Sequence, residues 1–141
     1  MNNQCFEMEF SSELTIGQAA LSKAMAFVSD NLFLNNEEYY DIKLILSELV
    51  FNAIIHGNNG DSNKKTRIKI DLSKDGIQAM ISDEGRGFNL GDVLRTVESD
   101  VNNFSENGRG LKLAMKLSDS FSINKNGREI LFSKKVGLKH V

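Results

Sequence analysis

Residues 48–57 read ELVFNAIIHG, and this segment guides the interpretation of the whole chain. Glu48, Asn52 and His56 recur every four residues, so a helix would carry all three on one face. The residues between them are mostly apolar, and a carboxylate and an amide are costly to bury there without a polar partner. A cleft or a bound ligand is therefore expected beside this helix face.

The same residues also allow an ordinary structural explanation. Glu48 and Asn52 could lie at the solvent edge of the helix, with His56 near the carbonyl groups at its end. In the chemical explanation, a Glu one turn from an Asn places a base and a metal-ligating oxygen on the same side of a bound phosphate. Mg²⁺ takes few protein oxygens when phosphates and waters complete its shell, so one Asn is sufficient. The segment alone leaves both explanations open.

The sequence on the N-terminal side predicts a strand and two helices. Residues 5–10 alternate between apolar and polar side chains, which predicts a half-buried strand, and residues 15–31 have helical spacing. The second helix is expected to begin near residues 35–38 and to be largely buried over 40–55. Gly57 is then suited to the left-handed position that ends a helix.

Two hairpins are predicted on the C-terminal side. The runs 67–72 and 77–82 flank an Asp-Gly turn, and the runs 121–124 and 130–134 flank Lys125-Asn126-Gly127. The order of elements is strand, two helices, hairpin, loop, helix, hairpin. This order favours an α+β fold, a two-layer α/β sandwich, over a parallel doubly wound sheet.

The composition is that of one ordinary globular domain spanning residues 1–141. Of these 141 residues, 40% are hydrophobic and 26% are charged, and the net charge of −2 provides no basic field for nucleic acid. The single Cys5 forms no intramolecular disulfide, which fits a reducing compartment. The chain shows neither a signal-like N-terminus nor an apolar run of about 18 residues, so a cytoplasmic protein without a membrane anchor is expected.

A second motif, Asp83-Glu84-Gly85-Arg86-Gly87, directly follows an apolar strand. Two glycines spaced by one residue let a backbone pass close to a flat ligand. Asp83, at the end of the strand, could accept a hydrogen bond from an exocyclic amine such as that of adenine. The alternative is an ordinary loop entry, where Asp and Gly are common.

A third motif, Gly108-Arg109-Gly110, lies between a weakly periodic polar stretch, residues 92–107, and a short helix at 111–117. Exposed backbone amides and the positive end of a helix are suited to phosphate. Arg109 could contact that phosphate or be a solvated side chain. A single GxG carries little information, but the order and separation of the three motifs strengthen each of them.

The succession of the three motifs resembles the Bergerat-fold superfamily of ATPases, which includes histidine kinases and DNA gyrase B subunits. Within it, the chain is most similar to the anti-sigma-factor serine/threonine kinases, domains of about this length that carry an ExxxNAxxHG helix. The resemblance covers nearly the whole chain. It implies the Bergerat fold, with a mixed, mostly antiparallel sheet covered on one face by helices.

By position, the resemblance also implies ATP and Mg²⁺ as ligands. Asn52 would ligate the magnesium that bridges the phosphates, and Glu48 would act as general base toward the attacking hydroxyl. Asp83 would bond the adenine amine, while Gly85 and Gly87 would let the loop approach the base.

The third motif would complete this site. Gly108 and Gly110 would bring backbone amides onto the phosphates, with Arg109 and Leu111 beside them. One departure concerns the last strand, where many relatives have a Gly-Thr pair and this chain has Gly127-Arg128-Glu129. The departure leaves the adenine contact one partner short.

The implied function is transfer of the ATP γ-phosphate to a small antagonist protein, combined with binding of a sigma factor. A homodimer is expected only because such relatives commonly dimerise. One alternative is a non-catalytic module in which ATP orders a partner surface. Another is a plain α+β scaffold whose loops merely look like nucleotide motifs.

Overall fold

The computed structural model of the chain describes residues 4–86 and 109–138. The elements in chain order are β1 Gln4–Ser11, α1 Leu14–Asn31, β2 Leu32–Phe33, α2 Asn36–Asn52, a π-helical turn Ala53–Gly57, β3 Lys65–Ser73, β4 Gly76–Asp83, α3 Arg109–Leu117, β5 Ser120–Asn124, a 3₁₀ turn Lys125–Gly127, β6 Glu129–Lys134 and β7 Gly137–Leu138. The polar stretch at 92–107 lies outside the described residues. In the part of the chain that is described, no helix combines the length and the apolar character needed to cross a bilayer.

Five strands form one sheet in the order β1-β3-β4-β6-β5, and each pair within it is antiparallel. The short strands β2 and β7 form a separate antiparallel pair. The predicted α+β sandwich is confirmed, and so is the mostly antiparallel character of its sheet. All the strand pairs within residues 4–86 and 109–138 are antiparallel, so no parallel pair is seen there.

Strand β3 shows how the alternating sequence separates the two faces of the sheet. Ile68, Ile70 and Leu72 are fully buried, whereas the residues between them are exposed or half-buried. Successive side chains of a strand point to opposite faces, so one face packs under the helices and the other meets solvent. Helix α1 packs on β1 and β3, and α2 packs on α1.

Helix α2 begins where the sequence predicts. The side-chain oxygen of Asn35 accepts a hydrogen bond from the Glu38 backbone N–H at 2.8 Å. In return, the Glu38 carboxylate accepts one from the Asn35 backbone N–H at 3.0 Å. This reciprocal pair satisfies two donors that a helix start otherwise leaves unpaired, so the start of α2 is well defined.

The end of α2 differs from the prediction, because Gly57 does not take the left-handed conformation. Residues 53–57 instead form a π-helical turn, and the Asn58 N–H bonds to the Ala53 carbonyl at 2.8 Å. The left-handed conformation that ends the helix is taken by Asn59, with φ of 52°, and by Gly60, with φ of 67°. The wider turn therefore delays the end of the helix by two residues and leaves Gly57 inside it.

Helix α3 starts two residues earlier than predicted, so Arg109 and Gly110 belong to its first turn. It packs against α2, and Lys134 of β6 fixes its other end. The Lys134 ammonium donates to the Leu117 carbonyl at 2.8 Å and lies 3.9 Å from the Asp41 carboxylate of α2. A cation at a helix C-terminus is favourable, and here it joins both helices to the sheet.

Candidate functional site

Glu48 and Asn52 lie one turn apart on α2, whereas His56, the third residue of the predicted face, lies in the π-helical turn that follows and is exposed. Leu49 and Val50 beside them are fully buried, and Asn52 itself is only 8% exposed. Within the described residues, the Asn52 amide makes no hydrogen bond to another protein group, and no fully buried side-chain nitrogen or oxygen lacks a partner. Within the part of the chain that is described, the amide of Asn52 is thus open to solvent or to a ligand.

Asp83, the last residue of β4, lies against the π-helical turn that follows α2. Its Oδ1 accepts a hydrogen bond from the Gly85 N–H at 2.8 Å. A methyl group placed on Gly57 would overlap the same carboxylate. The fold therefore places Asp83, the first residue of the second motif, directly against Gly57, the last residue of the first motif.

Gly85 is required by a contact between two backbone segments. A methyl group on Gly85 would overlap the carbonyl oxygen of Gly57. From the sequence, Gly85 was expected to let the loop approach a ligand. The structure shows that Gly85 also lets the loop approach the backbone of Gly57. Gly87, the second glycine of the motif, lies outside the described residues.

Burial raises the pKa of the Asp83 carboxyl group above its ordinary value of 3.8. Three features act in the opposite direction: the hydrogen bond from Gly85 and the positive charges of Arg128 and Lys64. Removing water from a carboxylate disfavours its charged form, whereas a donor and nearby cations favour it. Asp83 is thus a half-buried acceptor, suited to a ligand that presents an N–H group.

The start of α3 meets the polar face of α2. A methyl group on Gly110 would overlap the Glu48 carboxylate, so these two residues are in direct contact. Leu111 is only 3% exposed and belongs to the hydrophobic core, so a ligand would meet its backbone rather than its side chain. Arg109 opens the helix, and Gly108 lies outside the described residues.

Three sequence motifs thus meet around the C-terminal half of α2: its own polar face, the end of β4 and the start of α3. A family model described as the histidine kinase-like ATPase domain matches residues 10–134, which is most of the chain. The chain belongs to this family. The described part of the match includes the whole of the first motif and parts of the other two.

Named relatives of this histidine kinase-like ATPase domain are 29–32% identical to it over the aligned residues. The serine-protein kinase RsbW of Oceanobacillus iheyensis is 29% identical over 132 residues, covering 89% of this chain and 82% of the relative. An anti-sigma F factor of Clostridium perfringens is 32% identical over 104 residues, covering 71% of this chain and 74% of the relative. A Bacillus thuringiensis anti-sigma F factor is 31% identical over 91 residues, covering 64% and 62%.

The histidine kinase-like domain also contains a buried polar cluster that the sequence analysis missed. Ser12, Asn58 and Thr66 are each fully buried. The Asn58 amide donates to the Ser12 hydroxyl at 2.7 Å, and that hydroxyl lies 2.8 Å from the Thr66 hydroxyl. Thr66 could have been found from the sequence, because every second residue of β3 faces inward and Thr66 lies two residues before the inward-facing Ile68.

The polar cluster supports the site from behind. The Asn58 side chain also donates to the Lys65 carbonyl at 2.9 Å and accepts from the Glu84 N–H at 3.0 Å. Glu84 directly follows Asp83, so one side chain holds both the loop after α2 and the loop after β4. Buried networks with all groups paired fix a single arrangement of the chain.

We predict that Asn58→Ala lowers the free energy of unfolding by about 2–3 kcal/mol, since several buried groups lose their partner. Urea unfolding followed by circular dichroism measures this loss. Asn63→Ala is the matched control, because Asn63 is exposed and should change stability by less than about 0.5 kcal/mol. Equal losses in the two variants would contradict the role given to Asn58.

We predict that Asp83→Asn becomes more stable relative to the native chain as the pH rises. A raised pKa means that the folded state binds this proton more tightly than the unfolded state does. The stability contributed by the Asp83 proton is present below pH 3.8 and is lost as the pH rises through the folded pKa. Urea unfolding of both proteins between pH 3.8 and neutrality tests this, and a difference independent of pH would contradict it.

Proposed function

We propose that this domain is an anti-sigma-factor-like serine/threonine protein kinase that acts in partner switching. It would bind ATP with Mg²⁺ and transfer the γ-phosphate to a hydroxyl group of a small antagonist protein. The observation that carries the proposal is a pair of close contacts on either side of Asn52. Glu48 touches Gly110 at the start of α3, and Asp83 touches Gly57 in the turn after α2. The names of the relatives, a serine-protein kinase and anti-sigma F factors, support it.

Asp83 is the residue proposed to recognise adenine. Its carboxylate is half-buried and has its Oδ1 oriented by the Gly85 N–H, so it can accept a bond from the exocyclic amine. The contact between Gly85 and Gly57 keeps the loop backbone close to α2, which would let a flat base lie beside it. The proposed role of Gly87 rests on the sequence motif alone.

Asn52 is the residue proposed to contact the metal. Its amide is nearly buried and makes no hydrogen bond within the described residues, so its oxygen fits a single ligand position. When bound, Mg²⁺ would neutralise charge on the phosphates. No group of three or more His, Cys, Asp or Glu side chains is arranged for a metal in the described ranges, and Mg²⁺ held mainly by phosphates needs none.

The start of α3 is proposed to hold the phosphates. The first N–H groups of a helix have no partner inside the helix and form a natural anion site. Gly110 and the backbone of Arg109 and Leu111 lie in this first turn. Gly108, just before it, is proposed for the same role from its position in the sequence motif.

Glu48 is the proposed general base. Its carboxylate would take the proton of the attacking hydroxyl while the hydroxyl oxygen forms a bond to the γ-phosphorus. The bond from that phosphorus to the bridging oxygen breaks, and ADP leaves with the electron pair. Glu48 is half-buried between α2 and the start of α3, so it lies beside the proposed phosphate site.

The proposed kinase function also implies which proteins this domain binds. A sigma factor and a small antagonist protein are the expected protein partners, with no direct binding to nucleic acid. The cytoplasmic location, the absence of a membrane anchor and a homodimer remain predictions, as does the extent of one domain over residues 1–141.

We predict that Asn52→Ala weakens Mg²⁺-dependent ATP binding by about 10- to 100-fold, the cost of losing one charge-assisted contact. Isothermal titration calorimetry with ATP, with and without Mg²⁺, measures the change. Asn63→Ala, an exposed residue away from α2, serves as the control and should bind like the native chain. Unchanged affinity in Asn52→Ala would remove Asn52 from the metal site.

We predict that Glu48→Gln slows phosphoryl transfer by about 10²- to 10⁴-fold, the contribution typical of a general base, with ATP binding retained. Transfer of radiolabelled phosphate from ATP to a candidate antagonist protein is the measurement. Equal transfer by both proteins would exclude Glu48 as the base. Intact ATP binding without transfer by the native chain would instead favour the non-catalytic module.

A further inference from the structure

The contact between Glu48 and Gly110 links the proposed base to the start of α3. A methyl group on Gly110 would lie 2.7 Å from Glu48 Oε1 and would overlap the other carboxylate oxygen. The carboxylate therefore occupies the space that a side chain at residue 110 would fill. Since Glu48 lies on α2 and Gly110 on α3, this contact joins two elements distant in sequence.

The position of α3 is itself well determined. The helix packs along α2, and Lys134 holds its last turn through the Leu117 carbonyl. Leu111 and Ala114 are buried in the core, so the first two turns of α3 cannot rotate without losing apolar contacts. The surface on which the Glu48 carboxylate rests is therefore fixed in place.

The helix start also favours a carboxylate for electrostatic reasons. Unpaired N–H groups and the helix dipole give the first turn a partial positive charge. The proposed phosphate site lies at the same helix start, so a base held there stands beside the phosphate that receives the hydroxyl oxygen. A general base must be within hydrogen-bond reach of the proton that it takes.

We propose that Gly110 is a positioning residue for Glu48, in addition to its proposed backbone contact with phosphate. Its missing side chain lets the Glu48 carboxylate rest on the first turn of α3, so α3 sets the place of the base. The catalytic consequence of this inference rests on the kinase function proposed above. The contact itself does not depend on that function.

Gly110→Ala separates this role from phosphate binding. Alanine keeps the backbone N–H, so a phosphate contact made by that N–H is retained. Alanine is also a better helix former than glycine by about 1 kcal/mol, so the first turn of α3 should remain formed. The overlapping atoms belong to the flexible end of Glu48, which can rotate away from the added methyl group.

The experiment measures kcat and KM for transfer of radiolabelled phosphate from ATP to the antagonist protein that the native chain phosphorylates. In Gly110→Ala, kcat should fall by about 100-fold, as for a displaced general base, while KM for ATP changes little. Leu113→Ala is the control, because Leu113 is exposed on the same helix and should leave both parameters near the native values. A rise in KM alone would overturn the inference in favour of a clash with the nucleotide.

A double-mutant cycle tests whether Gly110 acts through Glu48. If it does, adding Gly110→Ala to Glu48→Gln should lower kcat by less than about twofold, because the base is already absent. A further loss as large as in the native background would overturn the inference.

Carbon-13 NMR of the Glu48 carboxyl group, recorded without substrate, keeps the two proposals distinguishable. The resonance should shift in Gly110→Ala and stay in place in Leu113→Ala, because only the first substitution displaces the carboxylate. An unchanged resonance in Gly110→Ala would overturn the positioning role. Absence of transfer by the native chain, together with the expected NMR shift, would instead overturn the kinase function and leave the positioning intact.

Discussion

The Asp83 carboxylate resting on the backbone of Gly57 is the contact on which the site depends. It holds the end of β4 against the end of α2, and it is possible only because residue 57 has no side chain. The pKa of this half-buried carboxylate is raised because removing it from water disfavours its charged form. Gly85 offsets part of this cost with its N–H, and Asn58 holds both loops in place behind the contact.

Most of the fold could be predicted from the sequence, because each element carries a strong local pattern. The alternation in β1 and β3 and the helical spacing in α1 correctly gave the type of each element, with boundaries within about two residues. The Asn35 and Glu38 pair marked the start of α2 through local hydrogen bonds alone. Such signals need no knowledge of distant residues, so a single sequence is sufficient to detect them.

The rest of the site depends on contacts between residues far apart in the chain. The closeness of Gly57 to Asp83 and of Gly110 to Glu48 follows from how the helices pack on the sheet, which no local pattern reveals. Arg128 is a similar case, and the family resemblance places it where a threonine was expected. Its carbonyl accepts a hydrogen bond from the Asp83 N–H at 3.0 Å, and its positive charge favours the ionised Asp83. Arg128 thus changes the electrostatics around Asp83, the residue proposed to recognise adenine, and adds no hydroxyl contact.

The π-helical turn at Ala53–Gly57 constrains the length of this segment as well as its composition. The turn is closed by a bond between residues 53 and 58, one residue further along the chain than in an α-helix, so losing or gaining one residue here would change the bonding pattern and the direction in which residue 57 faces. The glycine would then face away from β4, even if every other residue were kept. Insertions and deletions should therefore be excluded from these five positions in any related protein that keeps the contact between Gly57 and Asp83.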